Sequence, residues 1–228
     1  RTITHLRQGN WRLLAQRIRS TLPSLLAKRA RSDLVTGLLE SLPPQTILIV
    51  DHNLGGGANH YRDSLIAEYS SQHHTILLWT FSPVILSFQL ELISPDGERQ
   101  TYKVDNAAWD ALVDCKQIER LIFNNAVSYP QPDLVPDMLM RFALTYRENR
   151  KLTLLVHDFF MVCPSHFLLN NVGQYCGVPD ITRCHSCLPA IENSLTNLFD
   201  AADIVLWRSL WLKPLQQADE IVCFSENS

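Results

Sequence analysis

Gly55-Gly56-Gly57 stands between the short apolar run Thr46–Val50 and an amphipathic segment marked by Tyr61, Leu65, Ile66 and Tyr69. Adjacent glycines present no side chains, so backbone N–H groups there can close on a phosphate, and a helix beginning at that point adds a favourable dipole. The familiar phosphate loops do not fit. A P-loop ends in Gly-Lys-Ser/Thr, which is missing. A dinucleotide fingerprint needs a glycine where His60 stands and an acid after the second strand, which ends Trp79-Thr80-Phe81. What remains is a diphosphate approached by glycine backbone, with a plain flexible turn as the alternative.

A second pair, His157-Asp158, follows the apolar run Leu152–Val156. An imidazole there can hydrogen-bond a phosphate or a sugar hydroxyl, and the neighbouring carboxylate can accept a bond; a purely structural histidine is the alternative. Third, Cys163, Cys176, Cys184 and Cys187 fall in a C-x12-C-x7-C-x2-C pattern. Reduced thiols at this spacing can close a tetrahedral zinc shell, and the Cys184–Cys187 pair has the right bite for one ion. The segment around them is rich in loop formers and needs an internal cross-link to hold one shape. His166 and His185 are substitute ligands, while unligated thiols and disulfides are the other readings. Cys115 and Cys223 are expected to be core residues, at a helix end and in a buried strand.

The elements that must position these residues alternate. Thr46–Val50, His74–Thr80, Arg120–Phe123, Leu152–Val156 and Glu220–Phe224 read as strands, the first and fourth as wholly apolar runs buried on both faces. Val84–Ser94 and Arg99–Val104 flank Pro95-Asp96-Gly97 and predict a β-hairpin. Helical spacing is expected around Trp109, over Val135–Tyr146 and over Ile191–Gln217 with a break near Asp200. Trp207 and Trp211 make that last helix unusually apolar, as core first and interface second. Strand–helix alternation predicts an α/β fold with a doubly wound, mostly parallel Rossmann-like sheet, an inserted β-hairpin, a Cys-rich loop and a helical N-terminal arm.

The 228 residues carry a formal charge of −3, with 46% hydrophobic and 19% charged positions. That balance excludes wholesale disorder and a disulfide-stapled miniprotein, and it argues against a dedicated nucleic-acid binder. No apolar run is long enough to span a bilayer and no signal peptide is evident, so the cytoplasm is expected. Residues 1–40 carry +6 and the remainder −9. Two amphipathic helices broken near Pro23 are expected there, so residues 1–42 read as a basic arm or linker and 43–228 as the Rossmann-like domain. The arm either packs on its parent or makes peripheral contact with anionic lipid at the inner face of the membrane. The chain begins with Arg1 and is read as a segment of a longer polypeptide.

Together these features resemble a known family. Thr46–Leu65 resembles the first strand, loop and helix of GT-B glycosyltransferases, in particular the large retaining family 4. Val156–Pro164, with the later Cys-x-x-Cys, looks like the His-Asp…Cys-Pro…Cys…Cys stretch of bacterial members that build surface polysaccharide. Ala218–Glu226 is similar to the strand that closes the family's amino-terminal domain. The resemblance covers about residues 45–228. It implies that Gly55, Gly56 and Gly57 approach the donor diphosphate and that His157, beside Asp158, lies next to the reacting sugar. His60 and Asn59 become acceptor-side candidates. It implies a nucleotide-sugar donor held mostly by a carboxy-terminal domain that this chain lacks, a glycan or lipid-linked acceptor, and no catalytic metal, so that any zinc is architectural. Two other readings stay open: a nucleotide-sugar epimerase of the same two-domain plan, and a non-enzymatic, zinc-stabilised binding module.

Overall fold

The computed structural model describes residues 34–191 and 203–224. The chain divides into two compact units, Arg1–Ser41 and Leu42–Ser228. In the first, residues 34–40 are helical, and Ser41 turns its N–H and hydroxyl back to the Leu38 carbonyl, at 3.1 and 2.7 Å. The rest of the expected basic arm lies outside the described residues, as does the part of the long helix expected around Asp200.

The second unit is α/β, built on one seven-stranded, mostly parallel open sheet in a Rossmann-like arrangement. Its strands are β1 (Thr46–His52), β2 (Ile76–Ser82), β3 (Ser87–Ile93), β4 (Arg99–Val104), β5 (Ile118–Phe123), β6 (Lys151–Val156) and β7 (Glu220–Cys223), in the order β4-β3-β2-β1-β5-β6-β7. The pairings β2–β1, β1–β5, β5–β6 and β6–β7 are parallel, whereas β3 and β4 extend the β2 edge in antiparallel fashion. Connections leave β1 toward β2 on one side, and the chain later returns to place β5 on the other. The crevice between the carboxyl ends of β1 and β5 is therefore the sheet's topological switch point.

All seven residues of β1 and of β2 are buried. Successive side chains point to opposite faces. On one face Ile47, Ile49, Ile76 and Ile122 pack under Tyr61, Leu65 and Tyr69 of α1 (Gly57–Ser71). On the other face Trp79 meets Trp109 of α2 (Ala107–Asp114) edge-on, with ring centroids 5.5 Å apart. Phe123 there meets Trp211 of a later helix, α5 (Ile204–Gln217), at 5.2 Å. Between them lies α3 (Val135–Leu144), whose apolar stripe buries Leu139 and Phe142. Trp207 and Trp211 are core residues, and Leu212 on the same helix is exposed.

Arg150, just before β6, is buried and gives its guanidinium to the carbonyls of Val113, Cys115, Ile118 and Phe142 at 2.6–3.4 Å. One cation thereby satisfies chain ends from α2, β5 and α3. One sequence expectation is corrected here. Cys223 is exposed, not in a buried strand, because β7 is the edge strand and most of its residues face outward. Cys115 is buried, as expected.

Candidate functional site at the switch point

Because β1, β5 and β6 run parallel, Asp51-His52, Asn124-Asn125 and His157-Asp158 all emerge at one edge of the sheet. The glycine turn follows β1 at that edge. Gly55 and Gly56 adopt φ of +83° and +88°, the left-handed region that a side chain resists. A Cβ at either position would meet no neighbouring atom, so the demand for glycine is conformational rather than steric. Gly57 does not share it and is the first residue of α1.

Asn59 holds the turn in shape. Its Oδ1 accepts the Gly55 N–H at 2.6 Å, while its Nδ2 donates to Asp51 Oδ2 at 2.8 Å and to the His52 carbonyl at 3.0 Å. This side chain is buried and fully used, so the structure gives Asn59 a positioning role in the turn. His60, the other acceptor-side candidate, is exposed beside it. The Gly55 N–H is likewise committed. Among the described residues no side chain caps α1, which leaves its first N–H groups, after Gly56, as helix-start donors.

Asp51 is fully buried. It accepts bonds from its neighbour's N–H and from Asn59, and it pairs with Arg62 Nη1 at 3.1 Å. Burial nevertheless pushes its carboxyl above the usual carboxylate range. His52 accepts the Leu54 N–H through Nδ1 at 3.1 Å. Burial, reinforced by the Arg62 charge, pulls its pKa down to about 4, so the ring is neutral near pH 7.

His157 is joined to the glycine side by two hydrogen bonds. Its Nε2 lies 2.7 Å from Asn124 Oδ1, and Asn124 Nδ2 donates to the Ala58 carbonyl at 3.0 Å. The second bond fixes which end of the amide faces the imidazole. Nε2 therefore carries the proton and donates, leaving the Nδ1 lone pair as an acceptor. The ring stands edge-on to Tyr61 of α1, at 5.6 Å. Burial lowers its pKa, and the nearby Asp158 carboxylate opposes that shift. Asp158 accepts from Asn125 Nδ2 at 2.9 Å and from the Phe160 N–H at 2.8 Å. His166 also feels that carboxylate, and burial holds its pKa below the ordinary value. Three imidazoles thus lie within electrostatic reach of the Asp158 carboxyl at this edge, with the Asp51–Arg62 pair beside them. The arrangement can donate and accept hydrogen bonds beside the start of α1.

His157, Asp158 and the glycines were legible as candidates, and the structure brings them to one edge. His52, Asn124 and Asn125 are not among the sequence candidates, while Tyr61 is expected only as a helix-face residue and His166 only as a substitute metal ligand. A simple rule reaches three of them, since His52 closes β1 and Asn124-Asn125 directly follow β5, at the strand ends where open α/β sheets bind ligands. The four cysteines lie apart from this edge cluster, in the segment between β6 and α4 (Ile181–Cys187) and within α4 itself. Comparison with family models, with curated proteins and with solved structures finds no match to this chain. Among the described residues no helix is long and apolar enough to cross a membrane.

Proposed function

We propose that this chain is the acceptor-side, amino-terminal part of a retaining GT-B glycosyltransferase of the family 4 type, moving a sugar from a nucleotide-sugar donor to a glycan or lipid-linked acceptor. The observation that carries the reading is the relay from His157 through Asn124 to Ala58, which ties the imidazole to the start of α1 across the switch point. A donor diphosphate at the open N–H groups after Gly56 and a sugar at His157 would be neighbours. The chemistry needs little more from this side of the cleft. The anomeric C–O bond to the diphosphate breaks, the acceptor hydroxyl oxygen bonds to the same face of that carbon, and its proton passes to the departing phosphate oxygen. The protein contributes orientation and hydrogen bonds to the developing charge. In this reading the enzyme works in the cytoplasm on cell-surface polysaccharide, with the basic arm at residues 1–40 against the inner face of the membrane.

The test is transfer of labelled sugar to lipid-linked or glycan acceptors by the full-length gene product. His157→Ala should lower turnover at least ~100-fold, as for loss of a key transition-state contact. Near-normal turnover would remove His157 from the site. Interconversion of the nucleotide sugar without transfer to any acceptor would replace the reading with an epimerase.

A further inference from the structure

Cys163, Cys176, Cys184 and Cys187 line one cavity of about 190 Å³, with Leu168, Leu188 and Ile191 supplying its apolar wall. They reach it from three directions. Cys163 ends a turn closed by its own N–H on the Phe159 carbonyl, at 2.8 Å. Cys176 is set by its N–H on the Leu168 carbonyl at 2.9 Å, beside the single bridge between Leu169 and Tyr175. Cys184 and Cys187 are one helical turn apart on α4, on the same face. Asp180 caps that helix by accepting the Arg183 N–H at 3.1 Å. Neither substitute histidine belongs to the cavity: His185 is exposed and His166 sits with Asp158 at the sheet edge.

The lining charge is also informative. Among the described residues, Arg183 and Arg208 line the cavity and no Asp or Glu does. Arg208 Nη2 lies 3.8 Å from Cys184 Sγ, and its Nε donates to the Val162 carbonyl at 3.2 Å. Arg208 is held by its contacts, and Arg183 lies on the exposed rim, so two cations flank the four sulfurs. Around four thiolates on a divalent ion, which carry a net charge of −2, the same two cations are neutralising. The residues that need such a cross-link are at hand. Between β6 and α4 there is almost no regular structure, and Phe167, Val172, Tyr175 and Val178 on that stretch are exposed.

We propose that these four cysteines hold one structural zinc ion, independently of the sugar-transfer reading above. Each thiol gives its proton to solvent as its sulfur bonds the metal, so four protons leave per ion bound. Among the described residues no three His, Cys, Asp or Glu side chains are grouped closely enough to hold an ion as they stand. The site therefore closes by side-chain rotation. Cys176 is the clearest case, since its Sγ now donates to the Leu168 carbonyl at 3.1 Å and would turn from it toward the cavity.

The test is metal analysis of the full chain, expressed with zinc and purified without chelator. About one zinc per chain is expected, and Cys163→Ser or Cys187→Ser should drop it below ~0.3, as removal of one thiolate opens the shell. Cys115→Ser and Cys223→Ser should leave it unchanged. Should the ligand variants fail to accumulate, cobalt added to chelator-stripped wild-type chain supplies a second readout. Tetrahedral tetrathiolate bands support the site, and octahedral bands overturn it. Chelator should also speed proteolytic cleavage within residues 164–180 at least tenfold. Wild-type protein with under ~0.3 zinc per chain, or with these cysteines paired as disulfides under denaturing thiol analysis, overturns the proposal.

Discussion

The ring of His157 lies flat on the ring of Phe224, with centroids 4.2 Å apart and planes inclined by 9°. Phe224 also stands edge-on to Tyr61 at 4.7 Å, so three rings from the ends of β6 and β7 and from α1 form one stack beside the switch point. The stack shields one face of the imidazole, and desolvation is the main reason its pKa is lowered. In an NMR titration, His157 should show a midpoint below the ordinary imidazole value of ~6.5, and Phe224→Ala should move it upward. A wild-type midpoint at or above the ordinary value would contradict the shielding.

His52 gives the fold an acid sensitivity. Its folded pKa is about 4, whereas an unfolded chain takes up a proton near the ordinary 6.5. As pH falls from above 6.5 toward 4 the unfolded state binds that proton first, so stability is full above the window and is lost through it. A shift of this size corresponds to at most about 3 kcal/mol for this residue. Asp51 acts in the opposite sense, because burial raises its pKa in the fold and its contribution is present below the unfolded value and lost as pH rises. Urea midpoints measured from pH 7.5 to 5 should therefore decline in the wild type. His52→Asn keeps an acceptor for the Leu54 N–H and should decline less steeply. Equal slopes would show that the imidazole is not held neutral.

Gly56 and Gly57 make a matched pair. A Cβ meets no atom at either, yet only Gly56 has a positive φ. Gly56→Ala should destabilise by about 1–2 kcal/mol, through backbone strain alone. Gly57→Ala should be neutral or stabilising by up to ~1 kcal/mol, as expected for alanine replacing glycine in a first helical turn. Equal effects in thermal or urea unfolding would contradict the turn geometry.

The framework was readable because wholly apolar, β-branched runs have few other places to go. Thr46–Val50 and Leu152–Val156 fall inside β1 and β6, with partners on both sides of each. The polar pair Asp51-His52 reads as lying past the end of the first strand, and the structure differs. β1 continues through Asp51 and His52, because Asn59 and Arg62 supply the partners that let two polar groups stay buried. Nothing local signals that compensation, since Arg62 lies eleven residues beyond Asp51. Asn124 and Asn125 look like loop formers, and their value lies in contacts to His157 and Asp158 more than thirty positions away. Arg150 is harder still. A charged residue before a strand suggests solvent, and only the folded chain shows four carbonyls converging on it.

The three bonds made by the Asn59 side chain have a kinetic corollary. A glycine-rich segment ordinarily surrenders much conformational freedom when it wraps an anion, and that loss weakens capture. Here the segment is already fastened to β1, so in the proposed reading a donor diphosphate would meet it without a slow rearrangement step. Cutting that fastening with Asn59→Ala would act first on the association rate.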